Sequence, residues 1–191
     1  METIEGYLEA LASPAPTPGG GSAATIVGAL GAALVAMVAK ITSENPAYAD
    51  RASDARKLAA GADTLRAELL EARTADERAY ERVVAAMALP KSTPEEKAVR
   101  TERLQDALAG AAAAPLHAAE LALGVLQLVL RANLLENRHL QSDVICASIF
   151  ARASLAASAA NVRVNHAYLR DAELVETQES ALQALESAAA G

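Results

Sequence analysis

Apolar positions recur at helical spacing through almost the whole chain, and no stretch alternates with the period of two that a half-buried strand needs. Thr3 to Leu11 sets Ile4, Tyr7, Leu8 and Leu11 on one face, a short amphipathic helix ended by Ser13-Pro14. Ala23 to Ala39 runs without a charge until Lys40. Ser22 is placed to cap this first long helix, which is expected to reach about Thr42. After the break at Ser43 to Pro46, a second helix spans Ala47 to Met87. Its seam is Ala52, Ala55, Leu58, Ala59, Ala62, Leu65, Leu69 and Ala72, continued by Val83, Val84 and Met87. Thr93, Pro94 and Glu96 have the spacing of a capping box with proline at the first helical position. The helix they open is expected to run to about Leu134, with a kink at Pro115. Glu136 to Ser142 is polar and irregular. Val144 to Leu169 is helical again, with Ala147, Ala151, Ser154 and Ser158 as a small-residue face, and Asp171 to Ala190 is a final, weaker helix. The pattern predicts an all-α fold, an up-and-down bundle of about five main helices in a single domain covering residues 1–191.

Composition narrows this picture. Apolar residues are 52% of the 191, but aromatics only 3%, so the core is built from Ala, Leu and Val, which lets helices pack closely. Gly20, Ala24, Gly28, Ala32 and Ala36 form one smooth stripe on the first long helix. That helix is slightly short for a membrane span and lacks basic residues on its N-terminal side, so it reads as the buried central member of the bundle. A net charge of −7 argues against a nucleic-acid partner. The single cysteine, Cys146, excludes a disulfide framework and a Cys-based metal cluster, and is expected to be a small core residue. With an acidic N-terminus unlike a signal or transit peptide, the expected location is the cytoplasm.

Candidate chemistry lies at the helix ends. Pro16-Thr17-Pro18-Gly19-Gly20-Gly21-Ser22 is either a tight corner into the core or a loop whose backbone N–H groups hold an anionic or carbonyl group. It lacks the ending of a phosphate loop. Asp143, at a loop-to-helix junction, is a helix cap or a general base. Asp76, at the edge of a buried face among Arg73, Glu77 and Arg78, is a paired surface charge or a second carboxylate. Asn161 and Asn165 share a helix face, as an interhelical network or a polar feature of a pocket. Lys40 and Lys91 are solvated lysines or contacts for an anionic ligand tail. His117, His139 and His166 lack metal-ligand spacing, so no metal is expected.

These pieces together resemble the formiminotransferase-cyclodeaminase C-terminal domain family. Ser13 to Ala24 is similar to its opening Gly-rich signature, and Asp76-Glu77-Arg78-Ala79-Tyr80 to its Asp-x-x-Ala-aromatic element. Leu89-Pro90-Lys91 with Arg100, Ser142-Asp143, and Asn161 to Asn165 resemble further elements, in family order. One departure stands out: where many relatives read Gly-Asn-x-Asn, this chain has Glu136-Asn137-Arg138-His139. The resemblance implies a helical folate enzyme, usually a homodimer, with a tetrahydrofolate derivative as substrate and no tightly bound cofactor. It implies methenyltetrahydrofolate cyclohydrolase activity, with a formiminotetrahydrofolate cyclodeaminase as the alternative and a non-catalytic helical interaction protein as the rival class. On that reading Asp143 is the base or cation-stabilising group, with Asp76 as a second carboxylate. Pro18, Gly19, Gly20, Gly21 and Ser22, with Asn161 and Asn165, line the substrate site. Lys40, Lys91 or Arg100 holds the glutamate tail.

Overall fold

The structure, a computed structural model, describes residues 3–191, and among them there are six α-helices and no strand. They are α1 (Ile4–Leu11), α2 (Gly20–Glu44), α3 (Ala52–Met87), α4 (Pro94–Asn133), α5 (Gln141–His166) and α6 (Ala172–Ala190). Short 3₁₀ turns at Pro46–Arg51 and Arg138–Leu140 lead into α3 and α5. The four long helices run up and down around a square: α2 packs on α3 and α5, α4 packs on α3 and α5, and α6 lies on α4 and α5.

Small residues bring the axes together. A methyl group at Gly28 would lie 2.7 Å from Ser154 Oγ, which itself donates to the Ala24 carbonyl at 2.8 Å. One at Gly31 would lie 3.1 Å from the Ala147 carbonyl oxygen. The stripe on α2 is therefore a seam against α5. The core then stacks along the bundle. Val35, Val38, Leu58, Val129 and Val144 fill one end, and Leu69, Leu121 and Val125 the middle. Val83, Ala107 and Leu108 join α3 to α4 at the other end.

Helix lengths set the shape. α3 and α4 have 36 and 40 residues against 25 and 26 for α2 and α5. Asp76 of α3 lies level with Gly21 at the start of α2. The rest of α3, to Met87, projects about 16 Å past that point. α2 therefore begins on a ledge under the α3–α4 hairpin.

The capping box forms: Thr93 Oγ1 accepts from the Glu96 N–H at 3.2 Å, and Glu96 Oε2 accepts from the Thr93 N–H at 3.1 Å. Two sequence expectations, the cap of α2 and the burial of Cys146, need correction, while α4 runs from Pro94 to Asn133 much as expected. The cap of α2 is Gly19, and Ser22 lies inside the first turn, fully buried, because its hydroxyl is taken up by other side chains. α4 continues as one helix through Pro115. The proline frees the Ala111 carbonyl of its helical N–H partner, and Asn165 Nδ2 of α5 donates to that oxygen at 2.8 Å in its place. Cys146 is exposed, since the buried face of α5 passes through Val144, Ala147 and Ala151.

By length and composition α2, α4 and α5 are each apolar enough to cross a membrane, and in this fold α2 and α4 each pack on both α3 and α5. α2 retains an uncovered apolar side, with Leu30, Met37 and Ile41 between 37% and 49% exposed.

Candidate active site

The site begins with the two prolines and three glycines ahead of α2. The Thr17–Pro18 peptide is cis, and Gly19, extended, turns the chain into the helix without a side-chain cap. The first-turn N–H groups have no earlier turn to satisfy them, and the Asp76 carboxyl stands beside them. Gly20 faces Asn161 of α5: a methyl group there would lie 3.6 Å from Asn161 Nδ2. Gly21 faces Asp76 of α3 so closely that any methyl group would overlap its carboxyl. Glycine is required at 21 for this approach, since the backbone itself is ordinary helix.

Asp76 is half-buried, with the Ser22 N–H donating to it. Burial raises its pKa above the ordinary carboxylate value, the negative charge of Glu77 adds to the rise, and the Ser22 N–H partly offsets both. A carboxyl so placed exchanges its proton more readily near neutral pH than a surface aspartate does.

Around it stand residues with no site signal in the sequence. Tyr7 of α1 is buried, and its hydroxyl lies 2.9 Å from Ser22 Oγ. Ser22 Oγ donates to Glu77 Oε1 at 2.8 Å. Arg73 Nε lies 3.6 Å from the same oxygen, and the Arg73 guanidinium stands 5.3 Å from the Tyr7 ring centre. Tyr7 was legible only as an apolar position of α1, and Glu77 and Arg73 only as neighbours of Asp76. Nothing in their spacing says that α1 folds back over the start of α2.

Pro18, Gly19, Gly20, Gly21, Ser22, Asp76 and Asn161 are thus one group, although Ser22 faces inwards. Asn165, one turn beyond Asn161, has both its N–H donors engaged, on the Ala111 carbonyl at 2.8 Å and the Asn161 carbonyl at 3.0 Å. Asp143 stands in the first turn of α5, eighteen residues before Asn161, which separates them by about 27 Å along the helix. Lys40 lies near the far end of α2 and pairs with Asp63 at 2.7 Å. Lys91 is exposed in the link between α3 and α4, and Arg100 Nε donates to the Met87 carbonyl at 3.2 Å. Between these helices lies a cleft of about 410 Å³ that includes Arg82, Arg103 and Asp106. Among the described residues no three His, Cys, Asp or Glu side chains converge as a metal site would require.

The sequence profile of the formiminotransferase-cyclodeaminase family matches residues 3–184. A methenyltetrahydrofolate cyclohydrolase of Methylorubrum extorquens is 39% identical over 96% of this chain and 88% of its own length. The formimidoyltransferase-cyclodeaminase of Rattus norvegicus is 37% identical over 62% of this chain, a stretch that is 22% of that protein. The crystal structure of a formiminotetrahydrofolate cyclodeaminase from Thermotoga maritima superposes with a TM-score of 0.79 at 25% identity, covering 98% of this chain and 93% of that one.

Proposed function

The chain belongs to the formiminotransferase-cyclodeaminase family, and from that membership and the geometry of the site we propose that it hydrolyses 5,10-methenyltetrahydrofolate to 10-formyltetrahydrofolate. The methenyl carbon bridges two nitrogens and carries amidinium character, so it is electrophilic before the protein acts. Hydrolysis needs a positioned water, a base for its proton and a negative charge near the cation. The placement of the Asp76 carboxyl against Gly21, at the open start of α2, carries the reading. Water adds to the methenyl carbon and Asp76 takes its proton. That proton then passes to N5 as the carbon–N5 bond breaks, and the remaining hydroxyl proton is released to solvent as the C=O forms, so the cation and one water give the neutral N10-formyl product and one free proton. The reaction consumes no redox equivalent, and this route uses no resident cofactor.

Gly20 and Asn161 line the bridge or pterin end. The α3–α4 projection offers Arg82, about 9 Å along α3 from Asp76, and Arg103, Lys91 and Arg100 towards its tip, to the anionic glutamate end. Lys40, at the other end of α2, has no part in this arrangement within one chain. The uncovered side of α2 supports a homodimer. Within one subunit Asp143 is too far from Asp76 to serve the same carbon. It reaches that site only from a second copy packed antiparallel on α2. The enzyme acts on a soluble substrate in the cytoplasm, with neither membrane nor nucleic acid as partner.

Cyclodeamination of 5-formiminotetrahydrofolate is the second reading, favoured by the likeness to the Thermotoga maritima structure. It passes through a similar tetrahedral carbon and expels ammonia instead. Two assays on the purified protein decide. Loss of methenyltetrahydrofolate absorbance faster than in buffer, without ammonia release from the formimino substrate, is the expected result. Ammonia release with no acceleration of methenyl hydrolysis would reverse the assignment.

A further inference from the structure

We propose that Glu77, locked in a ring with Ser22, Tyr7 and Arg73, is a positioning residue that lets Asp76 exchange a proton with the ligand. The inference rests on the reading of Asp76 given above and extends it to a neighbour that the reaction does not touch.

The ring has a definite proton order. Ser22 has one hydroxyl proton, donated to Glu77 Oε1 at 2.8 Å, so the 2.9 Å contact between Tyr7 and Ser22 is donated by Tyr7. The two hydroxyls therefore run in series from Tyr7 through Ser22 to Glu77. Arg73 closes the circle, 3.6 Å from Glu77 Oε1 and over the Tyr7 ring, and the Arg73 and Glu77 side chains are only 25% and 24% exposed. Ser22 divides its two donors between two adjacent carboxyls: its hydroxyl serves Glu77 and its backbone N–H serves Asp76. Glu77 is thereby spent inside the protein, while Asp76 faces Gly21 beside Gly20 and Asn161.

The two carboxyls do different work. Asp76 must take a proton from water and return one to nitrogen within a turnover, which favours an acid strength shifted towards the working pH. Burial supplies most of that shift and the fixed charge of Glu77 adds to it. Among the described residues few other charges bear on Asp76. α2 carries none before Lys40, and the part of α5 from Ala153 to Val162 carries none. Arg163 is turned to Glu179 and Glu186, and His166 to Gln178. On α4 the stretch Ala107 to Leu116 is uncharged, and His117 pairs with Glu120. α1 contributes the Tyr7 hydroxyl, and α3 itself contributes Arg73 and Glu77.

The test is the titration of the Asp76 carboxyl by carbon NMR in the ligand-free protein, read beside the pH profile of kcat/KM for methenyl hydrolysis. Glu77→Gln should lower both the Asp76 midpoint and the kinetic inflection, in the same direction and together. Glu77→Ala serves as the second neutral variant should Gln not fold. Tyr7→Phe, which keeps the Glu77 charge, should leave both in place. An Asp76 midpoint unmoved in a folded, neutral variant overturns the proposal and leaves the assigned reaction standing. So does Tyr7→Phe moving the midpoint as far as Glu77→Gln, since packing rather than charge would then be the cause. A lowered midpoint with hydrolysis indifferent to Asp76→Asn would uphold the coupling between the carboxyls and overturn the catalytic assignment of Asp76 instead.

Discussion

Asp76 is a half-buried acid in a small-residue setting, and that has a cost in stability. The sign follows from the raised pKa: the folded protein holds this proton more tightly than the unfolded chain does. Its contribution is therefore favourable at low pH and is lost as pH rises through the folded value. At neutral pH the ionised carboxyl opposes folding. Asp76→Asn keeps an oxygen to accept the Ser22 N–H and removes the charge. It should raise the Tm by a few degrees at pH 7, with the gain shrinking as pH falls towards the unperturbed value of 3.8. Thermal unfolding of both proteins at several pH values checks this; a lower Tm for the Asn variant at pH 7 would contradict it. At this scale the sequence was partly legible. Asp76, Gly20, Gly21 and Asn161 were singled out, and they do come together. Tyr7 and Glu77 were not, because a hydroxyl and a carboxylate 70 residues apart have no shared pattern until α1 folds back over α2.

Single helices show how one breach of the helical rules is answered from a neighbour. Pro115 leaves the Ala111 carbonyl without its N–H, and Asn165 supplies the missing donor. Removing that donor strands a buried carbonyl, at a cost of about 1–3 kcal/mol. Asn165→Ala should lower stability by that amount in chemical denaturation. In a Pro115→Ala background, where residue 115 again donates to Ala111, the loss should shrink markedly. Equal losses in both backgrounds would show that Asn165 acts in some other way. The sequence announced both residues but not their partnership: a kink was expected from the proline and a pocket or a network from the asparagines. The boundaries of α4, by contrast, were legible through Thr93, Pro94 and Glu96, because a capping box is a local device. Glu136, the departure from the family pattern, has a left-handed φ of 50°. A glycine would adopt this without strain, whereas here Glu136 pairs with Arg51 at 2.8 Å.

For the whole molecule, the periodicity and the small-residue stripe foretold the up-and-down bundle, since burial of one face per helix leaves few other solutions. They could not foretell the ledge, which depends on where α2 and α5 end relative to α3 and α4. Nor could they show that Asp143 and Lys40 stand at the opposite end from the Gly-rich turn. The proposed homodimer is a statement at this scale. Leu30→Glu places a charge in the uncovered face of α2, where it should leave the monomer folded and abolish association. Sedimentation equilibrium is expected to give a dimer for the parent protein and a monomer for the variant. A parent protein that is monomeric at micromolar concentration would remove the only route by which Asp143 joins the site. Methenyl hydrolysis is assigned to the carboxyl that stands against Gly21. This role is tested most directly by following methenyltetrahydrofolate absorbance at neutral pH with equal amounts of parent and Asp76→Asn protein. Rapid decay is expected with the parent and a rate at least about 100-fold slower with the folded variant; equal rates would mean that this carboxyl is not the catalytic group.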